Sequence, residues 1–163
     1  MSESVVKSIT AYLEAGLRTA LGMSATDIYA VVQHSPIKGM NPLVIQIEPQ
    51  HAMRYGPGEG AWEGGTVQLK KRYFYFHIYK QLNTDQFAHS EDILAEANVG
   101  MIDLHQRLWD AMKNTNLGGL LFQTMEWDAD AATNWLEKET GWVESHETWS
   151  VVYAESLGSF PSM

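Results

Sequence analysis

The residue types able to do chemistry in this 163-residue chain are histidines, carboxylates and a glycine-rich stretch, because cysteine is absent. Without cysteine there is no disulfide, thiolate metal site, iron–sulfur ligation or cysteine nucleophile. The histidines are His34, His51, His77, His89, His105 and His146, and no two share the helical spacing of a zinc pair. Each is read as a surface or internally satisfied histidine. His105 lies on the flank of a helical stripe beside Leu104, and His77 on the polar side of a strand. Glu144, His146 and Glu147 reach a common metal only if their strand bulges. Asp128 and Asp130 give the D-x-D of a calcium loop without its glycine and distal glutamate, so with Glu126 they are better explained by capping of a following helix. Gly56-Pro57-Gly58-Glu59-Gly60 lacks the Lys-Ser/Thr of a phosphate loop, and Glu59 stands where phosphate would approach. It also precedes a strand, so no helix N-terminus backs it. There is no G-x-S-x-G elbow. Carboxylates paired for glycoside chemistry are matched in space and not in sequence. These residues point to no cofactor, no metal and no catalytic set.

What remains is side-chain chemistry suited to contact. The segment 49–65 reads as a long loop inside a compact domain, a length that is usually functional or disordered. It carries Met53, Arg54, Tyr55 and Trp62, of the types that anchor interfaces. Lys70-Lys71-Arg72 is the one basic cluster, placed at the start of a strand, where it serves either as edge protection or as a docking patch for an acidic surface. Along that strand Phe74, Phe76 and Ile78 share one side, while Tyr73, Tyr75, His77 and Tyr79 share the other. The first side suits a dry core. The second suits a solvated or intersubunit surface. Four of the six tryptophans, Trp127, Trp135, Trp142 and Trp149, fall in the last third, either as core or as the lining of an interface or groove.

The elements that position these residues follow from periodicity. Ser4 to Leu21 predicts an amphipathic helix with Val6, Ile9, Leu13, Leu17 and Leu21 on one stripe and Gly22 as its stop. Strands are predicted at 28–33, ending at Ser35-Pro36, and at 43–48, bracketed by Pro42 and Pro49. A third is predicted at 67–80. Glu91 to Lys113 predicts the longest helix, on a stripe of Leu94, Ala97, Met101, Leu104, Leu108 and Ala111, with Ser90 or Thr84 as its cap. A strand at 120–127, a short helix at 129–139 ending at Gly141, and a strand at 142–155 complete the chain. The expected architecture is α+β, a mostly antiparallel sheet with helices packed on one face. Residues 1–157 form one such domain and 158–163 a loose tail.

Charge sharpens the picture. The net charge is −9, but residues 1–80 hold 8 basic and 6 acidic side chains, while 81–163 hold 3 and 14. So few cations over the acidic half disfavour tight nucleic-acid binding, which depends on neutralising phosphates. Copies associating head to tail could join the basic half of one to the acidic half of the next. No apolar run approaches the ~20 residues of a membrane span. The first residues have no basic start followed by a long apolar stretch, so a soluble cytoplasmic protein is the default expectation.

The order and length of these elements resemble the tail-terminator, or tail-completion, proteins of long-tailed bacteriophages. The resemblance is carried by SVVKSITAYLEAGLRTAL, NPLVIQIE, RYFYFHIYKQLNTD, ILAEANVGMIDLHQRLWDAM and WSVVYAES, and it covers most of residues 4 to 157. It implies a non-enzymatic α+β subunit, without cofactor, that forms a homo-oligomeric ring, six-fold in that family. The ring caps the tail tube and offers a surface to the neck or head-completion protein. The implied location is the virion tail or neck, assembled in the host cytoplasm. The loop at 49–65 would touch the tube or a neighbouring subunit, and residues 129–139 would be a helix added to the plainest members. An acidic inner wall would let DNA pass without specific binding, since like charges repel. The rival expectation from composition is an acidic, tryptophan-rich inhibitor, of the immunity type, that binds a basic toxin as a monomer or dimer. A third is an enzyme whose site assembles only in space.

Overall fold

The computed structural model describes residues 5–32, 42–55, 67–82 and 90–156. Trp62, the loop beyond Tyr55, the Ser35-Pro36 turn, Thr84 and the tail at 158–163 lie outside the described residues. In chain order the elements are α1 (Val5–Leu21), β1 (Ile28–Ala30), β2 (Leu43–Arg54), β3 (Val67–Gln81), α2 (Ser90–Met112), β4 (Glu126–Asp130), β5 (Asn134–Glu137) and β6 (Trp142–Ser156). The strands form one sheet in the order β1-β2-β3-β6-β4, with β5 also paired to β6. Only β1 against β2 is parallel; the other pairings are antiparallel. This is the expected α+β architecture.

The core follows from the alternation of the long strands. Ile45, Ile47, Phe74, Phe76, Ile78, Trp149, Val151 and Tyr153 are buried on one sheet face. Against them pack Ile9, Leu13 and Leu17 of α1 and Met101, Leu108 and Met112 of α2. Each such side chain contributes about 1.5–3 kcal/mol by leaving water. The α2 stripe closes on Met112, with Ala111 turned outward. The α1 stop is at Gly22 (φ 66°), where the Met23 amide donates to the Arg18 carbonyl at 2.9 Å. That left-handed cap, with Met23 packed on the core, is the Schellman arrangement. A second glycine is required at Gly118 (φ 67°), where a Cβ would meet the Tyr12 ring at 3.1 Å.

Three expectations are corrected. Residues 129–139 are not a helix: β4 and β5 both pair with β6, and the Ala131 amide between them donates to the His146 carbonyl at 2.9 Å. An eleven-residue segment without an apolar stripe has little helical stability of its own. The edge of a fifteen-residue β6 offers it ladder bonds instead. The predicted strand at 120–127 begins only at Glu126, after a 3-10 turn at Leu117–Gly119. Leu121 and Met125 there plug the core from irregular backbone. Finally, β2 does not stop at Pro49 but runs to Arg54. The Ile45 amide and the Ile47 carbonyl face β1, so the Pro49 nitrogen, of the same parity, faces that side as well. The β1 partners of β2 end at Ile47, so among the described residues no strand pairs with that side at Pro49 and no ladder bond is lost.

On the other sheet face Val44, Tyr79 and Trp142 form a small buried cluster with Tyr29 and Leu136. The Tyr79 hydroxyl there is buried and has no hydrogen-bond partner among the described residues. Burial pushes its pKa up to about 12 from 10.0, with the nearby Glu144 and Glu48 adding to the shift. The neutral phenol is therefore favoured by folding, and that stability is lost as pH rises from 10 through 12. Tyr79→Phe is expected to raise stability by about 1 kcal/mol at neutral pH, by removing an unsatisfied buried group. It should also reduce the loss above pH 10; urea melts at pH 7 and pH 11 check both.

Candidate functional site

Two surfaces and one buried chain of polar groups collect the chemistry-bearing residues. The first surface is the corner where β2 and β3 run on past the end of β1. Register places Ala52 opposite Arg72, Met53 opposite Lys71 and Arg54 opposite Lys70. Thus the contact residues expected in the loop and the basic cluster expected on the strand are brought together. Met53 and Arg54 are exposed, and Tyr55 is half-buried with its amide donating to the Leu69 carbonyl at 3.1 Å. The basic cluster is engaged within the chain, Lys70 and the neighbouring Arg54 included. Lys71 reaches across β6 to Glu126 at 3.1 Å, and that hydrogen bond holds its ammonium above the usual lysine value. The Arg72 guanidinium donates to the Gln50 carbonyl and to the Tyr153 hydroxyl. Tyr73 and Tyr75 are half-buried on the face away from the helices. There Tyr73 stacks obliquely on His51 with ring centroids 5.6 Å apart, and Tyr75 meets the edge of His77 at 6.1 Å. His77 in turn bonds Glu48 at 2.9 Å. That polar face carries two groups of side chains in contact, Tyr73 with His51 and Tyr75 with His77 and Glu48.

The second surface is the opposite edge. β4 reads Glu-Trp-Asp-Ala-Asp, is exposed at every residue and, among the described residues, pairs only with β6. Trp127 is 46% exposed and Trp109 of α2 is 39% exposed. With Ile102, His105, Gln106 and Asp130 they line an open cleft of about 280 Å³ between α2 and β4. Asp128, at the bulge between Trp127 and Ala129, has its carboxyl raised above the ordinary range by partial desolvation against the sheet; the Ser150 hydroxyl and Lys71 lower it and Glu126 raises it further.

Behind the cleft lies the buried chain. His105 is 8% exposed and Glu147 0%. His105 Nδ1 is 2.6 Å from Glu147 Oε2, and His105 Nε2 is 2.7 Å from Ser145 Oγ. Glu147 Oε1 accepts the Trp149 indole N–H at 2.9 Å, and Ser145 Oγ donates to the Ala131 carbonyl at 2.6 Å. Serine, histidine and glutamate in this order match the members of a hydrolytic triad, but the proton count runs the other way. A carbonyl only accepts, so the single Ser145 proton goes to Ala131 and Nε2 must donate to Ser145. A nucleophilic serine donates to its histidine. Here the histidine ties α2 to β6 and, through Ser145, to the backbone beside β4. With one further proton between Nδ1 and Glu147, the pair carries no net charge, which is how two ionisable groups are tolerated in a core. His105 is thus a satisfied histidine, as expected, but inside the stripe and not on its flank.

The pairing of Ser145 and Glu147 with His105 is spatial and no motif shows it; Glu147 enters the sequence reading only beside Glu144 and His146, as part of a metal set that would need a bulge. One signal does exist: Glu147 shares its strand parity with Val143, Trp149, Val151 and Tyr153, so an ionisable group faces the helices. Among the described residues no cluster of three or more His, Asp and Glu side chains is arranged to hold a metal, and no helix is long and apolar enough to cross a membrane. No protein-family model matches the chain, and no curated protein matches its sequence.

Proposed function

We propose that this chain is a structural virion protein, a tail-terminator-type subunit that associates head to tail into a closed ring on the end of a phage tail tube and presents a docking surface to the neck. One observation carries the reading: a single sheet with two chemically different sides at its two ends. The β2 side bears Arg54 beside Lys70, and the β4 side bears Glu126, Asp128 and Asp130. A two-fold contact joins identical patches, whereas unlike patches on opposite sides join head to tail, and such a contact closes into a ring when its rotation closes. Opposite charge on the two patches favours that pairing over like with like. The segments on which the resemblance rests form α1, β2, β3, α2 and β6 in that order, which supports the reading, and the stretch at 129–139 adds strands to the sheet where an extra helix was expected. The outward polarity of the His105 chain suits a locking role better than nucleophilic catalysis.

Tube growth tests the terminator role. Added to polymerising tail-tube protein, the chain is expected to shorten the tubes in proportion to its concentration and to sit on one tube end in electron micrographs. Tubes of unchanged length with bare ends would contradict it. The exposed Trp127 and Trp109 beside Asp130, on a strand that also carries Glu126 and Asp128, favour a second reading, an inhibitor that captures a basic toxin. That reading predicts a monomer or dimer that leaves tubes unchanged.

A further inference from the structure

We infer that the cleft between α2 and β4 is the socket of the self-contact, and that its occupant is the Met53–Arg54 corner of a second copy of this chain. The inference rests on the head-to-tail reading and names the residues that would carry it.

The size of the cleft argues for side chains. At about 280 Å³ it lies at the lower end of the range of small-molecule pockets and is large enough for one or two side chains. Its walls argue for a cation with an apolar neighbour. Ile102, Trp109 and Trp127 are large apolar side chains left exposed together, which marks a surface that something covers. Asp130 stands at the rim, on the same strand as Asp128 and Glu126. Lys113 Nζ already lies 4.5 Å from the centre of the Trp109 ring, so the ring accepts a cation on one face. An arginine stacks flat on indole and forks onto a carboxylate better than a lysine does. The floor is held still, because the His105 ring is bonded at both nitrogens.

The opposite side of the same sheet supplies that chemistry. Met53 is 44% exposed, Arg54 is exposed beside it, and Lys70 lies opposite Arg54. Backbone pairing between copies is discouraged on both sides. Pro49 and the irregularity between Pro49 and Ala52 interrupt the β2 edge, and the β4 edge is charged. Side chains are left to make the contact, with Met53 against Trp127 and Arg54 against Asp130.

Charge reversal tests this directly. Arg54→Glu and Asp130→Arg are both at exposed positions, and each is expected to leave the chain folded in thermal melts while weakening self-association at least about tenfold by light scattering, alone or on tail tubes. In an equimolar mixture of the two variants, every contact of an alternating assembly joins either two native or two reversed charges, so association is expected to return. The chain carrying both substitutions is expected to associate on its own. Trp127→Ala should weaken association without rescue by either partner. If the unaltered chain forms rings and the single variants form them equally well, or if the mixture stays dissociated, this contact is wrong and the ring reading survives. If the unaltered chain stays monomeric alone and with tubes, both fail. A monomer whose Trp127 fluorescence responds only to a basic foreign protein also overturns the second copy as occupant.

Discussion

Glu147→Ala is expected to destabilise the protein by about 3–5 kcal/mol, among the largest effects of any single substitution in it. Glu147 has 0% exposure and holds two donors at once, His105 at 2.6 Å and the Trp149 indole at 2.9 Å. Its removal strands both groups in the core and opens a void where its stem lay. The expected pattern in urea melts is strong coupling. Joint replacement of the pair by apolar residues of similar volume, His105→Leu with Glu147→Met, should be less destabilising than Glu147→Ala alone, since no uncompensated charge is left. Strictly additive single and double variants would contradict the buried-pair account. The result matters for function because the same chain fixes the floor of the cleft and ties α2 to the sheet.

A comparable loss, about 3–5 kcal/mol, is expected for Trp149→Ala. Trp149 is fully buried on the helix-facing side of β6, opposite Phe74 on β3 and Trp127 on β4. Removing the indole leaves a cavity that two neighbouring strands cannot collapse to fill, and frees one oxygen of Glu147. Its ladder neighbour Trp127 provides the contrast. The same truncation there removes a side chain that is 46% exposed, so the melting temperature should move little while self-association falls. Thermal melts alongside light scattering separate the two. Equal destabilisation by both truncations would mean that Trp127 is core and not a contact residue.

That contrast also shows what was legible in the sequence. The strand at 67–80, the α1 stripe and Met101, Leu104 and Leu108 of the α2 stripe were readable because alternation and 3.6-residue periodicity are local properties, whereas Ala111 is exposed and Leu94 and Ala97 lie outside the described side chains. Pro49 was misread as a boundary, since whether proline breaks a strand depends on which side of it has a partner, and β1 ends at Ile47. Residues 129–139 were misread because capping signals at Asp128 and Gly141 are local, whereas the unpaired edge of β6 that recruits them is not. The charge asymmetry between halves was plain from composition. That it becomes two opposite sides of one sheet depends on the strand order β2-β3-β6-β4, which carries the basic corner to one side and the acidic strand to the other. The cleft was hidden for the same reason: Trp109 and Trp127 are eighteen positions apart and meet only across α2 and β4.

The central claim, head-to-tail self-association through unlike sides of the sheet, is tested most directly by the mass of the protein in solution. Light scattering over a range of concentration and salt, alone and with tail tubes, is the measurement. The account predicts a closed species of fixed mass, a small whole multiple of 18.3 kDa, that weakens as salt screens the charged contact. A mass that stays at 18.3 kDa at every concentration and in the presence of tubes would contradict it.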